Sequence, residues 1–251
     1  MHDTSTTHNT DWKAQSLRLT AFLSPSAQVG EQDWWKVLTG ELPDSTISQP
    51  KIGVQKQEGK FKSEKIEGQL VLSVQISRID WQLNPLDMPE SGFPTIGLFS
   101  DAIDSFSELM QSWLEIAPPI QRLALGAVLH QNTVSAQEGY ENLSKYLTFP
   151  LDKDSSEFLY RINRPRKSQN IADLLINRLS TWSVDLLAGF VLSPNNPIPY
   201  SLHPAEFALS LELDINTSAD FFGELTPEQL PEILQELVNL SQEIVKKGDI
   251  K

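Results

Sequence analysis

The sequence predicts an α+β protein built on a curved antiparallel sheet, and three features predict it. Phe207, Leu209, Leu211, Leu213 and Ile215 alternate with Ala208, Ser210, Glu212 and Asp214, the period-2 pattern of a central strand with one buried face. After a turn over 216–223, Leu230, Ile233, Leu234, Leu237, Leu240, Ile244 and Val245 recur at helical spacing, opposite Glu228, Glu232, Gln235, Glu236, Asn239 and Gln242. Thr226, Pro227 and Gln229 give that helix a cap, a first-turn proline and a capping-box partner. Third, the order strand, short helix, two or three strands, long helix occurs twice, so each half has a helix to lay across its own strands.

Met1 to Gln15 is polar and lacks apolar periodicity, which predicts a flexible tail with Trp12 docking near its end. His2 and His8 on such a tail are preorganised for no metal. Leu17, Leu19, Ala21 and Leu23 predict the first strand, stopped by Ser24-Pro25-Ser26. Gln32 to Leu38 predicts a short helix closed by Thr39-Gly40, with Trp34 and Trp35 as core residues rather than a ligand platform. Ile47 to Phe61 reads as extended. Gly68 to Leu83 reads as one long strand, and Lys51, Lys56, Lys60, Lys62 and Lys65 read as a solvated edge guarded against mispairing. After a proline-rich loop over 84–94, Ile103, Phe106, Leu109, Met110, Trp113, Leu114 and Ile116 form the stripe of a second helix, ended by Pro118-Pro119.

Gln121 to Gln131 restarts the pattern as a strand. Ser135 and Glu138 have capping-box spacing before Tyr140, Leu143, Tyr146 and Leu147. Strands over 158–164, 176–191 and 207–216 and the terminal helix complete the second half. The expected organisation is a tail over 1–15 and two α+β halves, 16–119 and 120–251, sharing one core. In element order this resembles TATA-binding-protein-like and helix-grip architectures.

Charge bounds the partners. Thirty-three acidic residues against 20 basic ones give −13, a field that repels phosphates, so nucleic acid is an unfavoured partner. The chain has no cysteine, hence no disulfide framework and no thiolate metal site. No apolar run approaches the roughly 20 residues of a membrane span, and a cytoplasmic location with no membrane partner is the expectation.

Gln121 to Val128, the run Leu143 to Leu151, the strand Leu211-Glu212-Leu213-Asp214-Ile215-Asn216 and the capped last helix are similar to a sporadically distributed family of uncharacterised bacterial proteins of about 250 residues. Gly126-Ala127 stands where that family would carry Arg-Tyr. The resemblance implies a context among horizontally moved defence or toxin-neutralising genes, and it brings no catalytic residues with it.

The motifs of nucleotide binding, zinc proteolysis and serine hydrolysis are absent from the sequence. His130 and His203 each stand alone as possible bases. Glu212 and Asp214 share a strand face and could hold a metal or do acid–base work, with a solvated outer face as the simpler reading. The local anomaly is Arg161, Arg164, Arg166 and Lys167, four cations in seven residues of an acidic chain, which can grip an acidic partner or pair with the protein's own carboxylates. These observations predict a non-enzymatic interaction protein without cofactor or metal, an accessory, immunity or antitoxin-like subunit whose partner is another protein encoded nearby, or a second copy. Two other readings stay open: a helix-grip module for a small apolar ligand, and a nucleic-acid-binding accessory protein.

Overall fold

Alternation sets the first strand: Leu17, Leu19, Ala21 and Leu23 turn one side of β1 (Lys13–Leu23) inward, and Arg18 and Phe22 project from the other. The computed structural model describes residues 12–27, 33–49, 51, 53–87, 89, 92–187, 190–193, 196–201, 206–221 and 223–249. It is an α+β protein. The chain continues through α1 (Trp34–Thr39), β2 (Ser45–Gln49), β3 (Val54–Lys62), β4 (Glu67–Gln75), β5 (Arg78–Asn84), β6 (Gly97–Leu98) and α2 (Phe99–Leu114). It then runs through β7 (Ile120–Thr133), α3 (Ala136–Leu143), β8 (Leu159–Asn163), β9 (Arg166–Lys167), β10 (Leu175–Leu187), β11 (Phe190–Ser193), β12 (Asn196–Ser201), β13 (Glu206–Thr217) and α4 (Gln229–Lys247).

One antiparallel sheet takes nine strands in the order β2-β3-β4-β5-β1-β7-β13-β10-β8, with β6 attached to β1 and β9 to β10. β11 and β12 form a separate hairpin. The strands that open the two expected halves, β1 and β7, meet in the middle, with Leu19 opposite Leu125 and Ala21 opposite Leu123. α2 packs on β1 and on α4, α4 on β7, β13 and β10, and α3 on β13 and β10. Between sheet and helices lie Leu17, Leu19, Trp81, Phe106, Trp113, Leu125, Leu211, Trp182, Ile233 and Leu237, none more than 1 % exposed. At about 1.5–3 kcal/mol per large apolar side chain, this layer is the main source of stability. Trp34 and Trp35 belong to it, Trp34 edge-on to Trp113 and Trp35 stacked on Trp81.

The structure corrects several expectations. Trp12 is buried, edge-on to Tyr146 and Trp182, and the strand has begun by Lys13, so the flexible tail expected over 1–15 does not extend through 12–15. His2 and His8 lie outside the described residues. The segment 68–83 is a hairpin, not one strand: Gln75 pairs with Arg78 around a two-residue turn at Ile76 and Ser77. Leu70, Leu72 and Val74 bury even positions and Ile79, Trp81 and Leu83 odd ones, a change of phase that the turn produces. The extended segment over 47–61 is likewise two strands. The sheet's edges are β2 and β8; Lys56, Lys60 and Lys62 sit on β3, one strand inside the edge they were expected to guard. At α4 only half of the capping box forms: Thr226 N–H donates to Gln229 Oε1 at 3.0 Å, while the Thr226 hydroxyl bonds Glu228 and the helix starts at Gln229. At α3 Ser135 caps the helix, Glu138 N–H donating to its Oγ at 3.2 Å, while the Glu138 carboxylate reaches one residue further back and accepts from Val134 N–H at 2.7 Å.

Candidate functional site

Because α2, α3 and α4 all take the side of the sheet that buries Leu17, Leu125 and Leu211, the other side carries the residues of opposite parity. Register joins them into rows across the strands. One row runs Val71, Gln82, Arg18, Gly126, Asp214, Leu179, Asn163. A second runs Ser16, Val128, Glu212, Thr181, Arg161. Between them lies a hollow of about 760 Å³ bordered by residues of β5, β1, β7, β13, β10 and β8.

The charges of this face differ from those of the chain. Its cations are Lys13, Lys56, Lys60, Lys62, Arg78, Arg18, Arg122, Arg161 and Lys167; its anions are Glu58, Glu67, Asp80, Asp214, Glu212, Asp185 and Glu206. The face is close to neutral in a protein of −13, so the acidic excess lies elsewhere, on α2 with Asp101, Asp104 and Glu108 among other places. A facing surface meets little net repulsion here.

Three arrangements on the face are built by its own chemistry. The Arg18 guanidinium lies over Gly126, where a side chain's first carbon would meet Nη2 at an ordinary contact distance of 3.5 Å. Among the described residues Arg18 has no ion pair, and neither has Arg161. Near the C-terminal end of β1, Phe22 is flanked by Arg122 at 4.8 Å and Arg78 at 5.8 Å from its ring centre. Arg78 is fixed by paired hydrogen bonds to Asp80 at 2.6 and 2.7 Å, and Asp80 also accepts from Thr20 Oγ1 at 2.6 Å.

The four cations singled out in the sequence divide between the two sides of the sheet. Arg161 projects into the hollow and Lys167 is exposed. Arg164 and Arg166 point to the helical side, where Arg164 holds Asp249 through both oxygens and Arg166 Nη1 reaches Glu243 Oε2 at 2.6 Å. Tyr160 adds a hydroxyl bond to Asp249 at 2.8 Å. The Arg164 hydrogen bond is the main force holding the Asp249 carboxyl below its usual range, against the effect of burial. Burial would raise Glu243, yet hydrogen bonds from Arg166 and Lys247 outweigh it and leave that group lowered as well. Buried Arg178, with Nη2 at 3.6 Å from Glu243, is lowered by its burial and by the neighbouring Arg166. This cluster ties the end of α4 to β8, β9 and β10.

Among the described residues the remaining candidates are not brought together with one another, apart from Glu212 and Asp214. His130 is 2 % exposed beside Phe93, with neither ring nitrogen hydrogen-bonded, and burial with Lys13 nearby lowers it to about 4. His203 lies outside the described residues. Glu212 and Asp214 both face the hollow, and Asp214 accepts from Asn216 Nδ2 at 2.9 Å. Among the described residues no three His, Asp or Glu side chains are grouped to hold a metal, and no helix is long and apolar enough to cross a membrane. The sequence singled out Arg161 but neither Arg18 nor the Arg78–Phe22–Arg122 group, whose members come from three strands; Gly126 within an apolar strand was the available signal. Compared with protein-family models, with curated proteins and with solved structures, the chain matches none.

Proposed function

We propose that this chain is a non-enzymatic protein-interaction subunit, an accessory, immunity or antitoxin-like component of a bacterial defence system, and that it binds its partner on the helix-free face of the sheet. The observation that carries the reading is the face itself: near-neutral, polar and crossed by unpaired Arg18 and Arg161, in a protein whose remaining surface repels acidic neighbours. Mixed charges at such a face favour selectivity and encounter rate more than raw affinity.

A duplicated, curved scaffold of the TATA-binding-protein-like kind accounts for the face. In this reading β1, β5, β4 and β3 correspond to β7, β13, β10 and β8 about the central β1–β7 pair, with α1 matching α3 and α2 matching α4. Two half-sheets joined edge to edge leave one broad surface free of helices. The helix-grip alternative needs an enclosed apolar space, and the tryptophans and leucines between sheet and helices occupy that layer.

The test is affinity purification from the native host with the wild-type chain and with an Arg18→Glu, Arg161→Glu double variant. Both arginines are exposed and unpaired, so the variant should melt close to wild type. A stoichiometric protein held by the wild type and lost by the variant is the expected result. Equal recovery by both would remove this face as the interface, and a wild-type chain that comes down alone would remove the reading.

A further inference from the structure

β10 turns Ile176, Arg178, Ser180 and Trp182 toward the helices, so strand parity carries a guanidinium into a layer that is mostly apolar. Arg178 is 2 % exposed, and its Nε and Nη1 have no hydrogen-bond partner among the described residues. Glu243 Oε2 stands 3.6 Å from Nη2, longer than a hydrogen bond. A buried guanidinium keeps its charge, and leaving its N–H groups unbonded is costly. An acceptor from outside the fold would remove that cost.

The neighbourhood is short of anions. Arg164, Arg166, Arg178 and Lys247 meet only Asp249 and Glu243, four positive charges against two negative. Asp249 is taken up by Arg164 and Tyr160. Glu243 serves the other three cations, accepting from Arg166 Nη1 at 2.6 Å and from Lys247 Nζ at 3.2 Å. A dianion would close the difference of two. Arg166 and Glu243 also line a groove of about 700 Å³ between α4 and the segment 166–170, so the cluster is reached from the surface. Glu243 Oε2 joins groove-lining Arg166 to buried Arg178, while its Oε1 already rests on exposed Lys247. A turn of that side chain toward Lys247 opens both arginines to an incoming oxyanion. Farther along, the groove presents Gln169, Gln235, Asn239 and Glu232 and no aromatic ring, a lining that suits hydroxyl groups and offers a flat base nothing to stack on. The other groove carboxylates, Glu236 and Glu232, lie about 10 and 16 Å up the helix at 1.5 Å per residue, and Glu236 is bonded to Ser168, Gln169 and Asn170.

We propose that the Arg166 end of this groove binds a small sugar phosphate, whose dianionic phosphoryl group displaces Glu243 and bridges Arg166 and Arg178 while its hydroxyls bond the amides farther along. Two guanidinium groups offer a phosphoryl group several parallel N–H donors, the geometry in which arginine binds most strongly. Glu243 is the internal carboxylate that holds Arg166 when no ligand is bound. The site lies on the helix side of the sheet and does not depend on the reading proposed for the helix-free face.

The experiment is isothermal titration calorimetry of the full chain with glucose 6-phosphate at fixed ionic strength and pH 7.5, where the phosphoryl group is mostly dianionic. Inorganic phosphate, glucose and a phosphoserine peptide go beside it. Glucose 6-phosphate should bind one to one, inorganic phosphate more weakly and glucose not at all. Arg178→Met, an apolar side chain of similar length at a buried position, should raise Kd by more than about tenfold, as loss of charged hydrogen bonds does. Glu243→Gln keeps the side chain's shape and removes the competing charge, so it should lower Kd severalfold; it carries the test by itself if Arg178→Met fails to fold. Absence of saturable binding by glucose 6-phosphate overturns the proposal. So do equal Kd values for wild type and Arg178→Met, and a Glu243→Gln variant that binds no tighter than wild type. Inorganic phosphate binding as tightly as glucose 6-phosphate would mean an adventitious ion only, and tighter binding of the phosphopeptide would mean a macromolecular partner; either result overturns it as well.

Discussion

Asp249 is 4 % exposed and receives hydrogen bonds from Arg164 and from Tyr160, while its own N–H donates to Tyr146 O at 2.7 Å. Removing Arg164 leaves a buried carboxylate without its cation, which is costlier than losing a surface pair. Arg164→Ala should therefore lower stability by about 2–3 kcal/mol, or roughly 5–10 °C in Tm for a chain of this size, read by thermal melting; Lys167→Ala, at an exposed position, should stay within about 0.5 kcal/mol. A Tm for Arg164→Ala equal to wild type would mean the contact is dispensable. His130 predicts a pH dependence of its own. Held neutral with a folded value near 4 against about 6.5 unfolded, it makes the unfolded chain bind more protons between those limits. Stability is then full above about pH 6.5 and declines as pH falls toward 4, by about 3 kcal/mol at the bottom of the window. Asp249 and Glu243, both lowered in the folded chain, add a further decline only below their ordinary carboxyl range. Urea midpoints from pH 7.5 to 4.5 should show the first decline in wild type and a flatter profile in His130→Leu. Identical slopes in the two proteins would exclude His130 as its source.

The end of α4 depends on a backbone shape that one residue type supplies. Gly248 closes the helix at φ +78° and ψ −156°, and a methyl there would lie 2.1 Å from the carbonyl oxygen of Tyr146. That region of backbone space is open to glycine alone. Gly248→Ala should cost about 3 kcal/mol or more through strain and the displaced Asp249, and should lower Tm further than Arg164→Ala does; an alanine variant as stable as wild type would refute the argument. How much of each element was legible follows from how local its signal was. β13, β1, α2 and the cap of α3 carried their signals within a single window of sequence, and they stand where the pattern put them. The β4–β5 turn at Ile76-Ser77 has no glycine, proline or asparagine to announce it, and only the shift of the apolar phase from Val74 to Ile79 betrayed it. The arginine cluster misled for a related reason. Counted along the chain, Arg161, Arg164 and Arg166 form a patch, but strand parity sends Arg161 to one side of the sheet and the other two to the opposite side. The candidate face could not be read at all, since each strand contributes one residue to a row and the rows exist only once register is fixed.

Taken whole, the molecule is held together across its middle. β1 and β7 pair over most of their lengths, α2 and α4 touch above them, and the buried Leu19 of one half lies opposite Leu125 of the other. Cutting the chain after residue 119 would part α2 from α4 and bare the edges of β1 and β7 that now pair with each other. An open edge of that length, flanked by Leu, Ile and Val, is a site for misassociation. The intact chain should thus unfold in one cooperative step, with near-ultraviolet dichroism from its tryptophans and far-ultraviolet dichroism from its strands losing amplitude at the same urea concentration. Expressed separately, residues 1–119 and 120–251 should each lack a cooperative transition and aggregate, whereas co-expression should recover a soluble pair with the tryptophan signal of the whole, since the pairing surface of β1 and β7 is complete once both are present. A half that alone shows a sharp melt and dispersed amide resonances would demonstrate an independent core. The central strand pair would then be a docking contact between two domains, with a cost of separation near that of an ordinary interface.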